Sequence, residues 1–222
     1  MQPGYLPWLG FFDQMNKANV FVYYDDVPYD KHGWRNRNRI KSSSGVQWLT
    51  VPVLTKGRFG QLNNEVEIDQ QKYWLRKQLP TIKQCYAKSP FIKEYFSEFE
   101  ELLQQDWKYL VDLDICMVEL LCRWLNIKTE IVRSSTLNIH GDRSERLLKI
   151  CQHLKADQYL SGVAANNYLN VDMFNNNGIN VLWQNFKHPV YTQLHGDFES
   201  YLSAIDLIFN HGPESSKLLK GN

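Results

Sequence analysis

Short apolar, β-branched runs alternate with amphipathic helical segments along this chain, and that alternation constrains the fold more than any other feature. Residues 19–24, NVFVYY, have the composition of a buried strand and end on Asp25 and Asp26. The rhythm returns after residue 127. Strands are expected over 129–132, 158–160 and 179–183, with helices over 142–154, 171–176 and 200–210. Strands separated by helices pair through crossovers. The expected class is therefore α/β: a mostly parallel, Rossmann-like sheet flanked by helices.

Two segments interrupt the pattern. Residues 34–41 and 46–53 read as strands of a β-hairpin, turned at 42–45. Residues 70–127 are mostly helical and read as an insertion, with Pro80 expected to kink or divide its first helix. No linker or repeat divides the 222 residues, so a single α/β domain spanning 1–222 is expected.

Charge and cysteine content narrow the function. The net charge of +1 provides no overall field for nucleic acid, so any anion site must be local. No apolar run approaches the roughly 20 residues that span a bilayer. Pro3, Gly4 and Pro7 break what would have to be the apolar helix of a signal peptide. Cys85, Cys116, Cys122 and Cys151 form no CxxC pair and read as reduced, mostly buried thiols. A cytoplasmic protein without membrane insertion, metal or cofactor is expected.

Ligands of open parallel sheets bind beyond the carboxyl ends of the strands. Asp25-Asp26, Arg133-Ser134-Ser135, Ser161-Gly162 and Gln184-Asn185 occupy those places, with the opening Gln2–Tyr5 turn beside them. A strand normally precedes such a turn in an α/β unit, and there is no room for one ahead of Gln2. The loop QPGYLPWLG holds two prolines and two glycines, which should make it rigid and unusual in shape. Tyr5 and Trp8 are candidate stacking walls for a base or sugar.

In WRNRNRIK, residues 34–41, a period of two puts Arg35, Arg37 and Arg39 on one face, about 6.6–7 Å apart. Guanidinium groups bind diphosphates and carboxylates bidentately, so this row is a candidate anion site. A solvated edge strand protected by charge is the plainer alternative. Asp25 and Asp26, which precede Tyr29 and Lys31, are further candidates for binding a sugar hydroxyl, an amine or Mg²⁺, with strand-end capping as the plainer alternative. Residues 187–198, KHPVYTQLHGDF, supply His188, Tyr191 and His195. An extended conformation would set Tyr191, Gln193, His195 and Asp197 on one face. A histidine beside a carboxylate suits general acid–base work.

QPGYLPWLGFFDQM, DDVPYDKHGWRNRNRIK, WLTVPV, YLSG and HPVYTQLHGDFESYLSAIDLIFNHGP, in that order, resemble the WbqC-like family over nearly the whole chain. The resemblance implies a role beside O-antigen and other surface-polysaccharide genes, making or decorating a nucleotide-linked sugar. One implied activity is transfer of an acyl or aminoacyl group to an amino sugar. His195 or His188 would then deprotonate the amine and Asp26 would orient it. Gln2, Tyr5, Trp8, Lys31, Arg35, Arg37, Arg39, Ser161, Gly162 and Tyr191 would bind a nucleotide-diphosphate sugar. A nucleotidylyltransferase-like enzyme is an alternative, although its HxGH motif is absent and Trp8-Leu9-Gly10-Phe11 stands nearest. A non-catalytic nucleotide-sugar-binding accessory protein is another.

Overall fold

The computed structural model describes residues 1–221. Helix α1, Leu9–Lys17, starts just after the Pro7 turn and buries Leu9, Phe11, Phe12 and Met15. Strand β1, Val20–Tyr23, follows. Strands β2, Arg37–Ser42, and β3, Gly45–Thr50, form the expected hairpin, in register from Arg37↔Thr50 to Ser42↔Gly45. Strand β2 begins at Arg37 rather than at residue 34: the Arg35 carbonyl accepts from Tyr5 N of the opening loop, while the Asn36 carbonyl still accepts from Val51 N in line with the hairpin.

Helices α2, Leu75–Cys85, α3, Ile92–Leu103, and α4, Leu110–Trp124, make up the helical segment. Helix α2 runs through Pro80, which lies on an exposed position of an otherwise continuous helix. An exposed carbonyl that loses its helical donor remains accessible to solvent, which makes the proline tolerable there.

Strand β4, Glu130–Arg133, pairs in parallel with β1, in register from Val20↔Glu130 to Tyr23↔Arg133. Helix α5, Arg143–His153, opens with a capping box between Asp142 and Glu145. Strand β5, Gln158–Ser161, helix α6, Val171–Asn176, and strand β6, Asn180–Trp183, form a second parallel unit. Helices α7, Ala204–His211, and α8, Ser215–Lys220, close the chain. Helix α7 starts later than its apolar pattern suggests, because Tyr201 takes a left-handed φ of 57°.

The class is mixed α/β, built from small parallel and antiparallel sheets. The backbone ladders form three separate two-stranded units, β1–β4, β2–β3 and β5–β6. On the edge of β1 away from β4, Met1 N donates to Val22 O and Tyr24 N donates to Met1 O. Those two bonds are one parallel bridge.

One apolar core joins the opening loop, α1, β1, α2, α3, α4 and α7. A smaller core under β5 and β6 contains Leu148, Leu169, Phe174 and Ile179. Side chains tie the second unit to α1: Gln14 Nε2 donates to Leu160 O, and Gln184 Nε2 donates to Gly10 O and Asp13. No helix among the described residues is long and apolar enough to cross a membrane.

Candidate functional site

The opening loop is more deeply placed than a ligand-contacting turn. Tyr5 is 0% exposed, and its hydroxyl donates to Gln78 Oε1 at 3.0 Å. Its expected place as a stacking wall is thereby corrected: this ring is core, set edge-on to Trp74. Gln2 gives its backbone carbonyl to Arg35 at 3.2 Å. Trp8 keeps a partly buried ring, packed edge-on to Phe186 at 5.4 Å and tilted against Tyr201 at 5.3 Å.

The parallel register of β1 and β4 brings their carboxyl ends together. Asp25, 0% exposed, accepts from Ser135 N, Ser135 Oγ, Ser134 Oγ and Arg133 Nε. Burial opposes its ionisation, but the Ser135 and Arg133 bonds outweigh that and hold the carboxyl below the usual carboxylate range. Arg133 also reaches Asp112 on α4 at 3.1 Å. Asp26 is engaged by Ser134 Oγ and by Arg146 of α5, whose guanidinium lies 4.8 Å from the Tyr24 ring centre. Ser161 is buried at the end of β5, and Gly162 leads into the short 3-10 helix Val163–Asn167.

The three arginines do not act as one row. Arg35 donates to the carbonyls of Gln2 and Pro3 and clamps the opening loop. Arg37 donates to the carbonyls of Gly33 and His32, and Arg39 to that of Tyr201. Arg37 and Arg39 also lie over the rings of Trp48 and Trp34, at 5.1 and 5.4 Å. Lys31 is exposed in the turn before them.

Residues 187–198 are irregular, so the shared face expected for Tyr191, Gln193, His195 and Asp197 does not form. His195 takes a φ of 65° and its Nε2 bonds to Cys85 O at 2.7 Å; no hydrogen bond or ion pair among the described residues joins it to the Asp197 carboxylate. Tyr191 is buried behind His188; its hydroxyl donates to Asp206, which also accepts from Tyr86.

His188 has the most distinctive surroundings. The rings of Phe186, Tyr191, Phe198 and Tyr201 enclose it, with centroids 5.4–6.2 Å away. Its Nδ1 lies 2.8 Å from the Pro189 carbonyl. A carbonyl only accepts, so Nδ1 carries the proton and neutral Nε2 is a bare acceptor. Nε2 is buried and has no partner. Burial pushes this imidazole below its ordinary pKa, which keeps it neutral.

The cysteines are free, and burial drives the Cys122 thiol up to about 12 and the Cys151 thiol to about 11. Neither is a ready nucleophile. No group of three or more His, Cys, Asp or Glu comes together at metal-binding spacing among the described residues.

Arg146, Asp114, Trp48 and Tyr201 were not singled out by sequence reasoning. Arg146 stands four residues before Ile150, and Asp114 four before Val118. Both charges are thus in phase with an apolar helix stripe, a readable signal of a buried polar role. Tyr201 carried no comparable signal.

Comparison with known proteins agrees with the motif order. The model of the WbqC-like protein family matches residues 2–218. The chain is 35% identical over 222 residues to the uncharacterized protein Rv1507c of Mycobacterium tuberculosis (strain ATCC 25618 / H37Rv), covering 99% of this chain and 96% of that one. No solved structure matches. The family match over nearly the full length, together with this relative, places the chain in the WbqC-like protein family.

Proposed function

We propose that this protein is a transferase of surface-polysaccharide biosynthesis, O-antigen assembly included, that adds an acyl or aminoacyl group to the amine of a nucleotide-linked amino sugar. The observation that carries the reading is the unpartnered, neutral Nε2 of His188. An amine that attacks a carbonyl must lose a proton, and a positioned neutral imidazole takes it; substrate reaches the buried Nε2 when the ring of the exposed Tyr201 moves off it. The sugar nitrogen bonds to the carbonyl carbon, and the bond from that carbon to the donor's leaving group breaks. The proton held on Nε2 then passes to the leaving group.

Arg37 and Arg39 hold the diphosphate, and Asp26, fixed by Arg146 and Ser134, orients the substrate amine. The same reading takes the two parallel pairs as parts of one Rossmann-like layer, with substrate beyond their carboxyl ends. It assigns the work to the cytoplasm, where free thiols stay reduced.

The test is incubation with UDP-linked amino sugars and a panel of acyl and aminoacyl donors, followed by mass spectrometry. A product heavier by the acyl group is expected. His188→Asn should lower its rate by about 10²–10⁴-fold while sugar binding is kept. Sugar binding without product from any donor would overturn the transferase reading in favour of a non-catalytic accessory protein.

A further inference from the structure

We infer that the solvent-exposed surfaces of Trp34 and Trp48 form a platform on which the base of a nucleoside diphosphate stacks, with Arg37 and Arg39, whose guanidinium groups lie over the Trp48 and Trp34 rings, meeting the phosphates. The inference rests on the nucleotide-sugar reading above and gives it a location.

The hairpin builds the platform. Arg39 of β2 is opposite Trp48 of β3, and Arg37 lies two residues along on the same face. Trp34, from the turn before β2, leans on Trp48 with ring centroids 4.9 Å apart. The planes meet at 45°, so the rings do not cover each other. Trp34 remains 45% exposed and Trp48 47% exposed. Two adjacent indoles left half in water present flat apolar surface on which a base can stack.

The charge held over these rings has no carboxylate partner among the described residues. Neither Arg37 nor Arg39 is in an ion pair among the described residues. Their hydrogen bonds go to the carbonyls of His32, Gly33 and Tyr201, which hold the guanidinium groups in place without neutralising them. Arg39 Nε is buried and unpartnered. Fixed, unneutralised guanidiniums beside exposed indoles complement a ligand with a flat ring and a short run of negative charge. A nucleoside diphosphate has both. A long nucleic acid needs a broader basic surface than a chain of net charge +1 supplies.

Titration of the full chain with UDP, GDP, UDP-N-acetylglucosamine and inorganic diphosphate, followed by calorimetry and tryptophan fluorescence, tests this. Both nucleotides should bind, because stacking tolerates any base, and inorganic diphosphate should bind at least about tenfold more weakly. Trp48→Ala and Trp34→Ala should each weaken UDP binding by about tenfold to a hundredfold, with Trp48→Phe recovering most of the loss. Trp48→Phe also controls for hairpin damage. UDP binding unchanged within about twofold in both alanine variants would overturn the platform and leave the nucleotide-sugar reading standing. No nucleotide binding at all would overturn both. Preference for a ten-nucleotide single-stranded RNA over UDP by more than a hundredfold would also overturn it.

Discussion

The indole of Trp8 lies so closely across Gly10 that a Cβ at Gly10 would stand 2.1 Å from the ring. Trp8 caps α1, and its ring folds back over the first helical turn towards Phe186 and Tyr201. The Trp-Leu-Gly spacing is therefore a packing requirement. Gly10→Ala sets two effects against each other. Alanine favours the helix by about 1 kcal/mol, whereas displacing a packed ring costs about 1–3 kcal/mol. The ring has aromatic neighbours on its far side, so the clash should win. Urea unfolding is expected to show a net loss of up to about 2 kcal/mol with a changed tryptophan emission. A gain in stability would mean that the indole swings away freely.

Asp25 should be the carboxylate whose loss is most costly at the β1–β4 end. It is fully buried and holds Ser134, Ser135 and Arg133 together. Asp25→Ala leaves those donors facing an empty site. Breaking a buried pair costs about 3–5 kcal/mol; with Arg133 about a third exposed, about 2–4 kcal/mol is expected. The pH dependence has a definite sign. The folded carboxyl lies below its unfolded value, so the unfolded chain binds the proton first. The contribution is present above the unfolded value of ~3.9 and is lost as pH falls through the folded one. Urea unfolding between neutral pH and pH 3 should show that loss in the wild type and a shallower one in Asp25→Ala.

What could be read from the sequence depended on range. Periodic features were legible because neighbours along the chain decide them: α1 occupies Leu9–Lys17, as its pattern requires, and the hairpin turns where Ser42 and Gly45 are opposite each other. The arginine row was half legible. A period of two correctly sets Arg37 and Arg39 on one face, but their partners are backbone carbonyls that no local pattern announces. Arg35 finds its carbonyls in the opening loop, some thirty residues upstream. Tyr5 was legible as special but not as buried, since its partner Gln78 lies in a distant helix. His195 and Asp197 were placed together by assuming an extended chain, and the positive φ of His195 and Gly196 ends that assumption.

Asp114 should oppose folding as pH rises, the reverse of Asp25. It is 1% exposed on α4, and its Oδ1 has no partner. Burial raises its carboxyl well above the ordinary value, more than Arg35 nearby lowers it. The folded state therefore keeps a proton that the unfolded state releases above ~3.9. Stability from this group is full at pH below that value and declines as pH rises towards the folded value. Asp114→Asn removes the titration. Its stability should decline less than that of the wild type between pH 4 and 8, in parallel urea series. Equal slopes would show that Asp114 ionises at its ordinary pKa inside the fold.

Tyr201 is expected to control the basicity of His188. Its backbone is left-handed and the residue is 52% exposed, yet its ring lies 5.4 Å from the imidazole and 5.3 Å from Trp8. Tyr201→Gly relieves about 1 kcal/mol of backbone strain and loses ring contacts of similar worth, so stability should move by less than about 1 kcal/mol. The imidazole should respond more clearly. Burial is what holds His188 below its ordinary pKa, and uncovering one side hydrates the charged form. The midpoint should rise towards ~6.5, read from the imidazole C2 proton in an NMR titration and assigned with His188→Asn. If His188 is the base, the acid limb of the pH–rate profile should move up with it. An unmoved midpoint would mean that Phe186, Tyr191 and Phe198 enclose the ring without Tyr201. A moved midpoint with an unmoved rate profile would separate this histidine from the proton transfer.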